Sequence, residues 1–285
     1  TEPHRGISFR GGETAAARVQ GIAIRNCWEE AGSGISMISS SPTIDACLLT
    51  DNTAVNGGAI EIIINSVSLI AGCRFRDNTA SKEGGALFVY RANRTLERCI
   101  FENNNAESGG AVKYLTHVYG EIRDCAFTGN EASFAGGGIA LENDAAPHIS
   151  FCSFYGNSAG KLGGGIRTHN SAPVIENTII AFGDSSGAVT SYGRMLPTLS
   201  CCNLYGNVGG DWDELLEEQV TERGNLSVDP LFANPVAGDL SLRPDSPCLG
   251  QAMCGTLGVR VDAPISRSGG GLAYATSPDA GGNRR

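Results

Sequence analysis

The chain has 285 residues, with 21 Lys and Arg against 30 Asp and Glu and a net charge of −9. Nucleic-acid-binding proteins normally present a basic surface, so this balance argues against a nucleic-acid partner and against attraction to an anionic membrane. The sequence contains no apolar run of the roughly 18 residues that a transmembrane helix needs, so we expect no transmembrane segment. Its 39 glycines are nearly twice the usual share of about 7%, which indicates tight and repeated turns.

The first residues predict an imperfect coil of a repeat. Segments 6–9 and 21–24 read Gly-Ile-Ser-Phe and Gly-Ile-Ala-Ile, and they weakly resemble the glycine-led apolar segments that follow. The chain begins at Thr1 without a Met or an apolar leader. We therefore expect it to be a processed product or a fragment.

From residue 27 onward a period of about 26 residues runs through the sequence. Its clearest marker is a column of cysteines, which Thr178 continues and which ends at Cys202. Two residues after each cysteine stands a large apolar side chain, such as Phe101 or Phe127, and five residues after it stands an asparagine. The cysteine column contains Cys47, Cys73, Cys99, Cys125 and Cys152, and the asparagine column contains Asn52, Asn78, Asn104, Asn130 and Asn157.

Each repeat predicts short β-strands. Apolar residues two positions apart, such as Ile60 and Ile62, alternate as in a strand with one buried face. A coil this small can bury its apolar face only by stacking on its neighbours, about 4.8 Å apart. The short strands of each repeat predict an all-β fold, and its hand follows from parallel crossovers, which are almost always right-handed. It is a right-handed parallel β-helix, a single-stranded solenoid of about seven to nine coils of roughly 26 residues.

The asparagine column predicts a ladder of side-chain amides, because Asn tolerates the left-handed backbone region and can bond to the next coil. The cysteine column favours buried, reduced thiols, since side chains that stack in one direction have poor disulfide geometry. Disulfides within the column, or a metal site, remain alternatives, although metal-binding spacings such as C-x-x-C do not occur.

Three cysteines lie outside the column. Cys248 and Cys254, six residues apart, are the better candidates for a disulfide, and such a bond would fit an oxidising compartment. Cys201 stands beside the last column cysteine and is expected to face outward.

The end of the chain departs from the repeat. Residues 209–225 contain an acidic stretch that predicts a short helical turn or a loop over an end of the solenoid. Residues 226–262 predict a last irregular coil and a C-terminal cap, which a solenoid needs to protect its core end. We therefore assign 1–262 to the β-helix. Residues 263–285, rich in Gly, Ser, Pro and Arg, are expected to form a disordered tail or linker.

Recurring motifs carry a resemblance to a known family. Segments 57–60, 84–87 and 109–112 read GGAI, GGAL and GGAV, and segments 75–78 and 101–104 both read FxxN. They resemble the repeats of chlamydial polymorphic membrane proteins. The stretches DPLF and DSPC near the end resemble the closing segment of bacterial secreted right-handed β-helix repeat proteins. The resemblance covers roughly residues 21–260. It implies the pectate-lyase-like superfold and a protein exported to the cell surface, as the chlamydial outer-membrane adhesins are.

Chemistry on such a solenoid would come from outward side chains on neighbouring coils. Lys113 and Arg167 are expected two coils apart, about 10 Å, with Glu142 on the coil between them. A lyase needs a cationic base and a hydrolase needs carboxylates, so these three are the candidate catalytic residues. The alternative is that they are ordinary solvated positions. The outward column contains Ser36, Glu61, Phe88, Lys113, Ala140, Arg167 and Thr190. The candidate ligand-binding residues are Glu61, Phe88, Tyr90, Lys113, Arg167 and His169.

The inward columns are regular and the outward columns are not. This pattern favours a secreted or cell-surface bacterial module, non-enzymatic, for adhesion or for contact with carbohydrate. The alternative is an extracellular polysaccharide lyase or glycoside hydrolase, which rests on fold analogy. We expect no cofactor, and calcium only for a lyase, although no set of three acids stacks on one face to hold it. The expected partner is a polysaccharide or a host or cell-surface component, and the sequence does not fix the oligomeric state.

Overall fold

Short parallel strands build the body of the protein. The computed structural model describes residue 4 and residues 6–29 and 32–259, and within these residues the solenoid has 29 strands. In chain order they are β1 (Ile7–Phe9), β2 (Arg18–Gln20), β3 (Ala23–Arg25), β4 (Ile35–Ile38), β5 (Thr43–Asp45), β6 (Leu48–Thr50), β7 (Thr53–Asn56), β8 (Ile60–Ile63), β9 (Val67–Ala71), β10 (Arg74–Arg76), β11 (Thr79–Glu83), β12 (Leu87–Tyr90), β13 (Asn93–Glu97), β14 (Ile100–Glu102), β15 (Asn105–Ser108), β16 (Val112–Leu115), β17 (Gly120–Arg123), β18 (Ala126–Thr128), β19 (Glu131–Ala135), β20 (Ile139–Glu142), β21 (His148–Ser150), β22 (Ser153–Tyr155), β23 (Ser158–Ala159), β24 (Ile166–His169), β25 (Val174–Glu176), β26 (Ile179–Ala181), β27 (Val189–Tyr192), β28 (Thr198–Ser200) and β29 (Asn203–Tyr205).

Each coil contributes strands to the same set of parallel sheets. The three long sheets have eight strands each, which corresponds to about eight coils and confirms the predicted right-handed parallel β-helix. A fourth sheet accompanies only the middle coils. Sheet 1 contains β1, β4, β8, β12, β16, β20, β24 and β27; sheet 2 contains β2, β5, β9, β13, β17, β21, β25 and β28; sheet 3 contains β3, β6, β10, β14, β18, β22, β26 and β29; sheet 4 contains β7, β11, β15, β19 and β23.

The core consists of columns of like residues. Phe75 pairs with Phe101 and Phe101 with Phe127 in sheet 3, so their rings lie directly above one another. The ring centroids are 4.7 and 4.8 Å apart and the planes are tilted by only 4°. Phe154 extends the stack at 4.4 Å. The regular repeat length therefore produces the predicted stacked core.

The asparagine column forms the predicted amide ladder at the turn between sheets 3 and 4. Asn78 donates from Nδ2 to Oδ1 of Asn104 at 3.0 Å, and Asn104 donates in the same way to Asn130 at 2.9 Å. Each Oδ1 also accepts the backbone N–H of the asparagine one coil earlier. The side chains thus complete the hydrogen bonds of backbone groups at a buried turn, where an unpaired group would cost stability.

The cysteine column consists of buried free thiols, as predicted, and contains no disulfide. Cys47, Cys73, Cys99, Cys125, Cys152 and Cys202 are fully buried, and Cys27 is 8% exposed. Cys99 Sγ, for example, lies 3.5 Å from Ile70 O and 3.4 Å from Glu97 O. Each thiol therefore fills a narrow corner of the coil as a small apolar group with a weak donor.

The acidic stretch covers the last coil. Glu214–Gln219 form a 3₁₀-helix, and Leu216 within it is completely buried in the main core. Gln219 Oε1 accepts the N–H of Leu199, which belongs to the last strand of sheet 2, at 2.8 Å. Of the two predicted alternatives, a short helical turn or a loop over an end of the solenoid, the stretch therefore forms the helical turn. It protects the core end, a role that the sequence had assigned to residues 226–262.

The segment that follows covers the side of the solenoid. Leu226 forms one parallel bridge with Asn203, and the chain then packs on the outer face of sheet 3. There β30 (Phe232–Asn234) and β31 (Asp239–Leu242) form an antiparallel pair, joined by a 3₁₀-helix at Pro235–Ala237. The predicted tail at 263–285 lies outside the described residues. The small core of this segment contains Ala126, Ile179, Ala181, Phe232, Leu240, Cys248, Leu257 and Val259.

The predicted disulfide between Cys248 and Cys254 is wrong. Cys254 instead forms a disulfide with Cys201, and their Cα atoms are 5.5 Å apart. Cys201 has a φ of 54° at the turn into sheet 3, and its side chain faces outward toward the C-terminal segment. Cys248 is fully buried inside the core of that segment. The cross-link therefore joins the segment to the solenoid.

Candidate functional site

The predicted outward column lies in register on sheet 1, but all of its residues except the half-buried Thr190 are buried. Glu61 pairs with Phe88, and Phe88 pairs with Lys113. Ala140 and Arg167 continue the column. Lys113 and Ala140 are completely buried, and the other three side chains are at most 7% exposed. The expectation of solvated outward positions is therefore wrong for this column.

The glycine pairs explain this burial. Gly109 has a φ of 69°, in the left-handed region that favours glycine, so the chain folds sharply from sheet 4 onto the outer face of sheet 1. A Cβ at Gly109 would lie 2.5 Å from Val112 O and 3.0 Å from Lys113 Cβ, and one at Gly136 would lie 2.7 Å from Ala140 Cβ. Each pair therefore lies directly against the column residue of its own coil, in a concave corner between the two sheets.

The three candidate catalytic residues meet in this corner. Lys113 Nζ lies 2.6 Å from Glu142 Oε1 and 3.1 Å from Glu83 Oε2, and it donates to Ser108 Oγ at 3.1 Å. Arg167 Nη1 contacts the same Glu142 oxygen. Glu83 is the last residue of β11 in sheet 4. The sequence pattern did not identify it, because the candidate residues came from the outward column of sheet 1 and Glu83 precedes the glycine turn that leads into that sheet. We call these four charged residues the corner network.

The pKa values of the two carboxylates in the corner network shift in opposite directions. Burial raises the pKa of Glu83, and attraction to Lys113 only partly offsets it. Burial also acts to raise the pKa of Glu142, but Lys113 and Arg167 together outweigh it and the pKa falls below its ordinary value. The second cation on Glu142 accounts for the difference.

The predicted ligand-binding residues do not form one surface. Glu61 and Phe88 are buried in the corner. Tyr90 and His169 lie at the ends of their sheet 1 strands, three coils apart, in the column that also contains Glu142. The structure therefore brings Lys113, Glu142 and Arg167 together and leaves Tyr90 and His169 apart.

A depression at the corner between sheets 1 and 2 was not predicted. The turn between these sheets spans 63–67 in one coil, 90–93 in the next and 115–119 in the third, and the strands on either side are in register. The middle turn is therefore one residue shorter than its neighbours and lies further in. The turn lengths can be counted in the sequence once the strands are aligned, but the turn after His169 is also one residue shorter than its neighbours, so the count alone does not identify the depression.

This depression, which we call the corner dent, has a volume of about 390 Å³. Arg91 and Asn93 come from the short turn, Asn65 from the coil before it, and His117 and Tyr119 from the coil after it. Tyr119 is 41% exposed. The corner dent is thus an open depression with a mixed polar and apolar lining, which includes the exposed Val67 and one accessible aromatic ring.

A family model described as right handed beta helix region matches residues 3–133 and, again, residues 83–215. The two matches together span about three quarters of the chain. The chain belongs to this family. Comparisons with curated proteins and with solved structures gave no match. Membership in the right handed beta helix family establishes the fold, and because one fold supports many functions, the function has to be argued from the sites.

As the base of a lyase, Lys113 would have to approach a substrate proton within about 2.6–3.2 Å. In this β-helix its side chain has no exposed surface, and its Nζ contacts two carboxylates and a hydroxyl of the protein itself. Lys113 is therefore not accessible as a base in this structure. Within the described residues no group of three or more His, Cys, Asp or Glu could hold a metal ion, and no helix there is long and apolar enough for a membrane span.

Proposed function

We propose that the chain is a non-catalytic β-helix module, secreted or attached to the cell surface, that contacts polysaccharide or another cell-surface component. One observation carries this proposal. The cations of the enzyme-like patch, Lys113 and Arg167, are buried and paired with Glu83 and Glu142. The ion pairs join adjacent coils, and burial keeps both cations away from a substrate.

The disulfide supports an extracellular location. Cys201 and Cys254 join the C-terminal segment to the solenoid, and such bonds persist mainly in oxidising compartments. The eight free cysteines are all buried, which protects their thiols from oxidation there. The resemblance of the GGAI and FxxN repeats to those of chlamydial adhesins points in the same direction.

Sheet 2 offers a long exposed face for such contacts. Its outer side presents polar side-chain contacts between neighbouring coils, including the ion pair of Arg18 with Asp45 at 2.7 Å and the contact of His148 Nε2 with Glu176 Oε2 at 3.0 Å. These side chains are 22–53% exposed. Val67, Leu69 and Val174 are also exposed on this side, and a face that mixes apolar groups with accessible hydrogen-bonding atoms is suited to an extended polysaccharide.

A glycosidase remains the second candidate because of one observation. Two carboxylates whose pKa values move in opposite directions, Glu83 and Glu142, flank a common point, which is the arrangement of an acid and a second carboxylate in glycoside hydrolysis. Lys113 Nζ occupies that point in the structure. This candidate requires Lys113 to leave the corner when substrate binds.

The purified chain tests both functions on one panel of acidic and neutral polysaccharides, with and without calcium. Retardation in affinity electrophoresis measures binding, and new reducing ends and the ultraviolet absorbance of unsaturated products measure turnover. We expect retardation by at least one polysaccharide and no turnover. Turnover that is lost in Glu142→Gln, with the fold of the variant checked by its thermal transition, would establish the enzyme instead. Failure of every polysaccharide to retard the chain would contradict the binding proposal.

A further inference from the structure

One wall of the corner dent is organised by a carboxylate. Asp144, which lies one coil beyond His117 and Tyr119, accepts a hydrogen bond from Tyr119 Oη at 2.5 Å and contacts His117 Nδ1 at 3.0 Å, both at its Oδ2. The pKa of Asp144 is lowered by the Tyr119 hydroxyl and by His117. One carboxylate therefore orients a phenol ring and an imidazole along the same wall, and a preorganised wall loses less entropy on binding.

The floor and the opposite wall carry hydrogen-bonding groups. Asn93 Oδ1 accepts the backbone N–H of Tyr119 at 2.9 Å, so the amide is oriented and its Nδ2 has no partner among the described residues. Asn65 contributes a second amide from the coil before. Ala92, which is 3% exposed, forms a small apolar floor. Such amides can each donate and accept, as sugar hydroxyls require.

A cation stands at the rim of the corner dent. The Arg91 guanidinium lies 5.4 Å from the centroid of the Tyr90 ring, and no described carboxylate forms an ion pair with it. This contrasts with Lys113 and Arg167, whose charges are neutralised within the protein. On a chain of net charge −9, a guanidinium without an ion-pair partner beside this depression favours an anionic group, and a planar carboxylate matches its paired donors.

We propose that the corner dent binds one unit of a carboxylate-bearing saccharide. Tyr119 provides a ring face for the apolar side of the sugar, the Asn65 and Asn93 amides bind its hydroxyls, and Arg91 binds its carboxylate. The volume lies at the lower end of the roughly 300–1,000 Å³ that is typical of ligand pockets, which suits a short segment. This inference rests on the proposed function and narrows it to acidic polysaccharides.

Titration calorimetry with the full chain tests the inference. The probes are a trisaccharide of galacturonate and a neutral trisaccharide of galactose. We expect the acidic probe to bind and the neutral one to bind at least about tenfold more weakly. Arg91→Gln and Tyr119→Ala should each lower the affinity for the acidic probe by about tenfold or more. The matched controls are Arg194→Gln and Tyr192→Ala, at exposed residues of another turn between the same sheets. They should change the affinity for the acidic probe by less than about twofold.

A third variant tests the origin of the corner dent. One glycine inserted between Arg91 and Ala92 gives the short turn the length of its neighbours, and we expect the fold to persist and acidic binding to fall by about tenfold or more. Binding that is unchanged in this variant and in the two substitutions would overturn the corner dent as the site. If polysaccharides retard the chain but neither trisaccharide binds, this inference fails and the proposed function stands. If no polysaccharide binds, both fail.

Discussion

Lys113 Nζ and Glu142 Oε1 lie 2.6 Å apart and join two adjacent coils inside a concave corner of the solenoid. Removing one member of a buried ion pair leaves the other charge uncompensated and costs about 3–5 kcal/mol. Glu83 and Glu142 keep 30% and 22% of their side-chain surface in contact with water. We therefore expect Lys113→Ala and Lys113→Met each to lower the free energy of unfolding by about 3 kcal/mol, at the low end of that range.

Urea unfolding measures this loss. Lys113→Met keeps the apolar stem, so a loss shared by both variants reports the charge and not the packing. The control is Arg18→Ala, which removes an exposed partner of Asp45 and should cost at most about 1 kcal/mol. A loss for Lys113→Met that is no larger than that of the control would contradict the structural role of the corner network.

The opposite pKa shifts of Glu142 and Glu83 give opposite dependences of stability on pH. The pKa of Glu142 is lowered in the folded state, so its contribution to stability is present above its ordinary value of 4.5 and is lost as pH falls through the lowered pKa. The pKa of Glu83 is raised, so the folded state binds this proton more tightly. Its contribution is present below 4.5 and is lost as pH rises through the raised pKa.

Urea unfolding of the variants between about pH 3 and pH 7 separates the two groups. Stability should rise with pH below pH 4.5, and Glu142→Gln should remove part of that rise. Stability should fall with pH above pH 4.5, and Glu83→Gln should remove part of that fall. Glu218→Gln, at an exposed position of the 3₁₀-helix without a contact to the corner network, is the control and should leave both slopes unchanged. Slopes that are the same in all three variants would contradict the assigned shifts.

The phenylalanine stack gives the clearest test of the core. Phe101 is fully buried between two parallel rings, and replacing such a residue by alanine costs about 3–5 kcal/mol. Phe134, which is 37% exposed, is the matched control, and its replacement should cost less than about 1 kcal/mol. Equal midpoints of chemical unfolding for Phe101→Ala and Phe134→Ala would argue against the stacked core.

The cysteines should fall into two classes in a thiol titration. Burial raises the pKa of Cys99 and Cys125 well above the ordinary value, that of Cys202 to about 12 and that of Cys248 to about 11. Because the thiolate is the reactive form, we expect no fast-reacting thiol in the native protein, eight after denaturation and ten after reduction. Two thiols or fewer in the denatured, unreduced protein would mean that the ladder is oxidised. A peptide cross-link other than Cys201 to Cys254 would contradict the C-terminal arrangement.

The sequence predicts the columns well because each column depends only on repeat length. Phe101, Asn104 and Cys99 stack on their counterparts in the next coil as soon as the coils are about 26 residues long. Alternation also places Lys113 correctly on the outer side of sheet 1. The alternation pattern does not predict that the glycine turn brings Glu83 of sheet 4 over the outer side of sheet 1, because the angle between two sheets is a tertiary property.

The disulfide and the corner dent escaped prediction for related reasons. Cys254 reaches Cys201 only because the C-terminal segment lies along sheet 3, and sequence separation carries no information about that path. The turn at 90–93, which lines the corner dent, is one residue shorter than the turns on either side of it, while the neighbouring columns stay in register. A pattern search that rewards regular columns does not detect such a difference.

Arg94 is a poorly compensated buried charge. It is 2% exposed, and its guanidinium lies 4.9 Å from the centroid of the Tyr114 ring. Nη2 donates to Ala92 O at 2.7 Å, but Nε and Nη1 have no hydrogen-bond partner. Burial lowers the pKa of this group to about 10, and the neighbouring Tyr114 acts in the opposite direction. Gly120 follows it in the same column, where a Cβ would lie 2.1 Å from the backbone O of Arg94.

Arg94→Met should therefore leave the protein as stable or make it more stable, by about 1–4 kcal/mol, because it replaces a buried and poorly paired charge with an apolar chain of similar length. Arg94→Ala removes the charge but also opens a cavity, and it should be less stable than Arg94→Met by about 2 kcal/mol or more. Urea unfolding of the two variants separates charge from volume. A loss of more than about 1 kcal/mol in Arg94→Met would mean that the contact of Arg94 with the Tyr114 ring is worth more than the cost of burying the guanidinium.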